Sequence, residues 1–100
     1  MYYLYILYSE SSDKYYVGYS SAPHRSLIDH NTSQSTAYIS KHRPWTLKAI
    51  YSCGEIEFVA IQIERFIKKQ KSRILLEKLI AGVQLSGNLA QLVRVPHVRD

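Results

Sequence analysis

Nine tyrosines in one hundred residues is a large stock of phenols, and four of them fall within residues 2–8. A free phenol ionises near pH 10. To act as a base at neutral pH it needs its pKa lowered by about three units, roughly 4 kcal/mol, which takes a nearby positive charge. The ordinary use of such residues is structural, because strands favour aromatics and tyrosine caps a small core well. Three other chemistries stand beside the phenols. Glu64 is a lone carboxylate four residues before Lys68, the spacing of a surface ion pair on a helix. His30 lies four residues after Ser26, on the same helical face. The run Arg65, Lys68, Lys69, Lys71, Arg73, with Lys41 and Arg43 upstream, is either a solvated helix face or a surface that contacts phosphates.

The elements that must position these groups follow from the pattern. Two aromatic runs, residues 2–8 and 14–19, flank the turn-prone segment 9–13, which predicts a β-hairpin. Alternation puts Tyr3, Tyr5 and Leu7 on one face of the first strand, and Tyr16 and Gly18 on one face of the second. A turn centred near Glu10–Ser11 sets Tyr5 opposite Tyr16. Pro23, with hydroxyl caps before it, opens a short helix over residues 22–31. The polar stretch 31–44 has no period and reads as a long loop. Residues 45–52 alternate as a half-buried third strand, ended by Gly54. A helix over 55–69 follows, with an apolar stripe of Val59, Ala60, Ile63, Phe66 and Ile67; Glu64, turned about 100° from Ile63, sits on its rim, where a carboxylate can face a cleft. A further helix spans 72–81. The expected fold is a small α/β (α+β) domain, order β-β-α-β-α-α, with a mostly antiparallel three-stranded sheet over residues 1–81 and a loosely held extension over 82–100.

Composition bounds the function classes. Thirteen Lys and Arg against eight Asp and Glu give +5, which favours a polyanionic partner, most simply nucleic acid. Cys53 is the single cysteine, so an intramolecular disulfide or a cysteine-built zinc site is excluded and a cytoplasmic setting is expected. The apolar N-terminus lacks a preceding positive charge and makes a poor signal peptide, and no apolar run approaches membrane-spanning length. Zinc-finger, P-loop and helix-turn-helix patterns are all missing, so any selectivity is expected to be for nucleic-acid shape. Oligomeric state is not encoded legibly.

One resemblance adds to this reading. Tyr3-Leu4-Tyr5, then Tyr16-Val17-Gly18, then SKHRPW (residues 40–45) and IERFIKKQKSR (residues 63–73) resemble, in order, the blocks of the GIY-YIG nuclease family over about residues 1–80. Tyr3 replaces the first glycine, as in small single-domain members. The resemblance implies a metal-dependent endonuclease that hydrolyses phosphodiester bonds, with DNA expected ahead of RNA as the substrate. Tyr5 and Tyr16 would help deprotonate the attacking water, Glu64 would bind one Mg²⁺ (or Mn²⁺), and His30 would touch the phosphate or assist proton transfer. The family's arginine falls eight residues after the second-motif glycine, and here that residue is Ser26. Arg25, one position away, is the displaced substitute. If nothing replaces that charge, the loss is on the order of 10²–10⁵ in rate. The alternative is therefore a nucleic-acid-binding module of the same fold with weakened cleavage. A purely structural or protein-interaction domain is a third, weaker class.

Overall fold

Tyr2–Ser9 (β1) and Lys14–Ser20 (β2) form the antiparallel hairpin. In this computed structural model the described residues are 1–32 and 37–96; residues 33–36 of the polar stretch and 97–100 of the tail, on which parts of the expectations above fall, lie outside them. The hairpin register differs from the expected one by two residues: Tyr5 pairs with Gly18, and Leu7 with Tyr16. The turn forms later because its own polar groups hold it there. The buried Ser9 hydroxyl accepts from Ser12 N at 3.3 Å, Asp13 takes a left-handed φ of 55°, and the Tyr8 hydroxyl donates to Asp13 at 2.6 Å. A two-residue shift preserves which face each side chain occupies, so Tyr5, Tyr16 and Gly18 still share one surface.

Trp45–Gly54 (β3) pairs with the other edge of β1, and Val93–Arg94 (β4) pairs with β3, giving a four-stranded antiparallel sheet in the order β2-β1-β3-β4. The sheet therefore has one strand more than the sequence pattern indicated. β3 also departs from simple half-burial. Leu47 pairs with Leu7 and Ala49 with Ile6, which leaves Lys48 as an extra residue. Such a bulge flips the alternation. Trp45, Leu47 and Ile50 join one core cluster, while Ala49, Tyr51 and Cys53 join the other, so both faces of β3 are buried.

Helices cover both faces. On one side Leu4, Ile6 and Val17 pack with Glu57–Gln70 (α3) and Arg73–Ala81 (α4) through Ala60, Ile63, Ile67 and Leu79. Ser72 caps α4 by accepting from Leu75 N at 3.0 Å, a contact worth about 1 kcal/mol. On the other side Tyr5 and Leu7 pack with Pro23–Thr32 (α1) and Ala37–Lys41 (α2) through Leu27 and Ile39. The short helix α2 lies within the stretch expected to be loop. The expectation of a loosely held tail is corrected over residues 82–96: Leu89 and Leu92 are buried in the α3/α4 core, Arg94 stacks on Tyr51 and donates to Leu79 O at 3.1 Å, and Val95 N donates to Ile50 O at 2.9 Å. These contacts escape a periodic reading because the tail is irregular chain around a short turn.

Candidate active site

β1 and β2 carry the phenols, and their register builds the centre of the site. Tyr5 lies on the bare backbone of its partner Gly18: a Cβ on that glycine would come within 2.6 Å of the Tyr5 hydroxyl oxygen, 2.7 Å of Cζ and 3.2 Å of Tyr16 Cε2. The glycine is needed for close approach, with no demand on its backbone angles. Tyr5 is only 4% exposed, and its ring sits 6.4 Å from that of Tyr16. Burial first, then the neighbouring Tyr16, push its pKa well above the ordinary phenol value; side-chain hydrogen bonding with Ser26 works in the opposite direction, and the Glu64 charge raises it again. Tyr5 in this environment holds its proton at neutral pH, the reverse of the lowered value a base needs.

α1 brings His30 against both phenols, 4.7 Å from the Tyr16 ring and edge-on to Tyr5 at 6.1 Å. Its Nδ1 lies 2.8 Å from Ser26 O, and a carbonyl only accepts, so Nδ1 carries the proton. Nε2 is buried and without a hydrogen-bond partner among the described residues. The end of α1 is fixed by two contacts that no periodicity reveals. Asn31 clamps the Trp45 backbone, donating through Nδ2 to its carbonyl at 2.9 Å and accepting from its N–H at 2.6 Å. Arg43 donates from Nε to His30 O at 2.7 Å, and its Nη2 is the other buried polar atom left unpaired among the described residues.

Glu64 approaches past the free edge of β2. Its carboxylate is largely shielded (side chain 17% exposed) and lies 3.3 Å from Lys68 Nζ, which in turn sits 5.3 Å above the Tyr16 ring. The rim position on α3 thus reaches the Tyr16 side of the site through Lys68. Among the described residues no group of three His, Cys, Asp or Glu could cage a metal ion. One hard carboxylate beside open cleft suits an ion that keeps most of its waters and takes substrate oxygens, which is how Mg²⁺ is commonly held.

The structure brings Tyr5, Tyr16 and His30 together, links Glu64 to Tyr16 through Lys68, and gives Arg25 no contact with this group among the described residues. Arg25 is exposed, with Nε 3.8 Å from Asp29. The Ser26 hydroxyl, at the family's arginine position, bonds Ser20 Oγ at 2.9 Å and Ala22 O at 3.2 Å. In the basic run, Arg73 is committed to the hairpin turn: it pairs with the Asp13 carboxylate, lies 4.9 Å over Tyr15 and reaches Glu77 at 3.3 Å. Lys41, Lys69 and Lys71 are exposed and make no ion pair among the described residues.

Two phenols and a histidine thus gather on one face of a four-stranded antiparallel sheet, with a helix-borne glutamate linked to them through Lys68. Residues 1–78 match the model of the GIY-YIG catalytic domain, and the chain belongs to the GIY-YIG family. Its general function is accordingly of nuclease type with a nucleic-acid substrate, in a family that is generally divalent-metal dependent. No curated protein matches the chain. Among the described residues no helix is long and apolar enough to cross a membrane.

Proposed function

We propose that this protein is a metal-dependent endonuclease acting on DNA, with Glu64 and substrate oxygens holding one Mg²⁺ or Mn²⁺. The observation that carries this reading is the gathering of Tyr5, Tyr16 and His30 beside Gly18, with Glu64 linked to Tyr16 through Lys68. When bound, the ion supplies positive charge for the phosphate and the leaving oxygen. Tyr5, kept neutral by burial, donates a hydrogen bond that orients water or phosphate. Tyr16, less buried and flanked by Lys68, faces the water directly. His30, fixed by Ser26 O, offers Nε2 as the proton acceptor on the Tyr16 side. Arg43 takes the place of the α1 arginine: its guanidinium is anchored at the His30 carbonyl, and its buried, unpaired Nη2 becomes a donor to charge on phosphate once substrate displaces the side chains that cover it.

The second reading, a binding module with weakened cleavage, is favoured by the internal bonding of Ser26 and the outward pairing of Arg25. Cleavage of branched, duplex and single-stranded DNA and RNA in Mg²⁺ or Mn²⁺ separates the two. The proposal expects cutting by the natural protein that is lost in Glu64→Ala. Binding without cutting, with cleavage restored only by Ser26→Arg, selects the second reading.

A further inference from the structure

Beside the phenols, the outer side of β2 opens into a groove of about 440 Å³ between the α3–α4 junction and α2. Lys14, Lys68, Lys71 and Arg73 line it, and its single acid, Asp13, is already neutralised by Arg73. Three tyrosines line it: Tyr15, under Arg73; Tyr16, which it shares with the candidate active site; and Tyr38, which is 44% exposed. Tyr38 is held by edge contact with His42 at 4.7 Å, and His42 Nδ1 is in turn 2.8 Å from Ser12 Oγ. The groove is thus a braced aromatic ring among four cations, of which Lys14 and Lys71 make no ion pair among the described residues, and it runs up to Tyr16.

We infer that this groove holds one unpaired nucleotide next to the bond that is cut, its base stacked on Tyr38 and its phosphate among Lys14, Lys68 and Lys71. The inference rests on the nuclease reading and narrows its substrate to strands with an unpaired segment at the cut. Three observations carry it. The groove, about 440 Å³, has room for one nucleotide. The charge is complementary to phosphate and unlike an acidic or apolar pocket. The exposed ring supplies a stacking surface that any base can use, whereas no side chain in the groove is arranged to read base edges. The preference is therefore for strand state and not for sequence.

The test uses fluorescence anisotropy of labelled DNA in EDTA, so that nothing is cut. The probes are a blunt duplex, the same duplex with a short single-stranded flap, and the free strand. The natural protein is expected to bind the flapped duplex about five- to a hundredfold more tightly than the blunt one, the range for one stacked base. Tyr38→Ala should bring that ratio close to one while leaving blunt-duplex affinity in place, and Tyr38→Phe should keep the ratio. Lys71→Gln should weaken binding of every probe and reduce the salt slope by about one. Thermal melts of each variant show that the fold is retained. Equal affinity for blunt and flapped duplex, or an unchanged ratio in Tyr38→Ala, overturns the inference and leaves the nuclease reading standing. Absence of salt-sensitive binding to any probe overturns both.

Discussion

Gly18→Ala is the sharpest perturbation of the site. The added methyl would lie 2.6 Å from the Tyr5 hydroxyl oxygen and 2.7 Å from Cζ, so the phenol must retreat by about 0.5–1 Å to regain ordinary contact. Tyr5 has little room to do so: it is 4% exposed, packed in a cluster with Leu7, Leu47 and Ile50, and has His30 edge-on behind it. Overpacking of this kind costs about 1–3 kcal/mol, which in a domain of this size lowers Tm by roughly 4–20 °C. Whatever strain the ring relieves by moving reappears as misplacement of its hydroxyl. A displacement of about 1 Å is worth on the order of 10² in rate. Thermal melts and single-turnover cleavage should therefore trade against each other, with at least one clearly reduced. A double-variant cycle with Tyr5→Ala assigns the cause. If the clash is the cause, the two substitutions together cost less than their sum by about 1 kcal/mol or more. A Gly18→Ala protein that melts and cuts like the natural one would refute the reasoning.

Three further outcomes follow from the same geometry. Arg43→Gln should reduce cleavage by about 10²–10³ with Arg43→Lys a poor rescue, because the forked guanidinium bonds the His30 carbonyl and keeps a second donor; Arg25→Gln should cost far less. Leu89→Ala should destabilise by about 2–5 kcal/mol, and a chain ended after Ala81 should fail to fold cooperatively by urea titration, since Leu89 and Leu92 complete the α3/α4 core. Burial raises the Cys53 thiol from 9.0 to about 11 and raises Tyr5 as well. Both groups are neutral when folded, so their contribution to stability is intact below their unfolded pKa values and is lost as pH rises towards the folded ones. The urea midpoint should fall between pH 9 and 11, and less steeply in Cys53→Ala.

What the sequence disclosed depended on whether a contact belongs to a repeating pattern. The hairpin, the stripe of α3 and the rim position of Glu64 all follow from periods of two or 3.6 residues, and the structure has them. The register could not be read, because Ser9 and Asp13 set it through their own hydrogen bonds and the loop composition alone permits several turns. The error was harmless to the site because a shift of two keeps every side chain on its face. β3 was harder: one extra residue at Lys48 turns a strand buried on both faces into an apparently half-polar one. Asn31 and Arg43 were opaque as anchors for a different reason. Each acts through backbone atoms of a residue distant in sequence, and nothing in residue type or spacing announces such a partner. Leu89 and Leu92 sit in irregular chain, where burial has no period to betray it.

Trp45 has a consequence of another kind. It is the chain's one tryptophan, 2% exposed, with Nε1 donating to Ile39 O at 3.0 Å. Its ring lies 6.1 Å from Tyr16, 6.1 Å from Tyr38 and 6.3 Å from His42. The molecule therefore carries its own optical reporter at the junction of cleft and groove. Light absorbed by the surrounding tyrosines drains into a single emitter, and that emitter's yield responds to any aromatic ring arriving beside Tyr38. Binding and local opening can each be followed in unlabelled protein from one band of fluorescence.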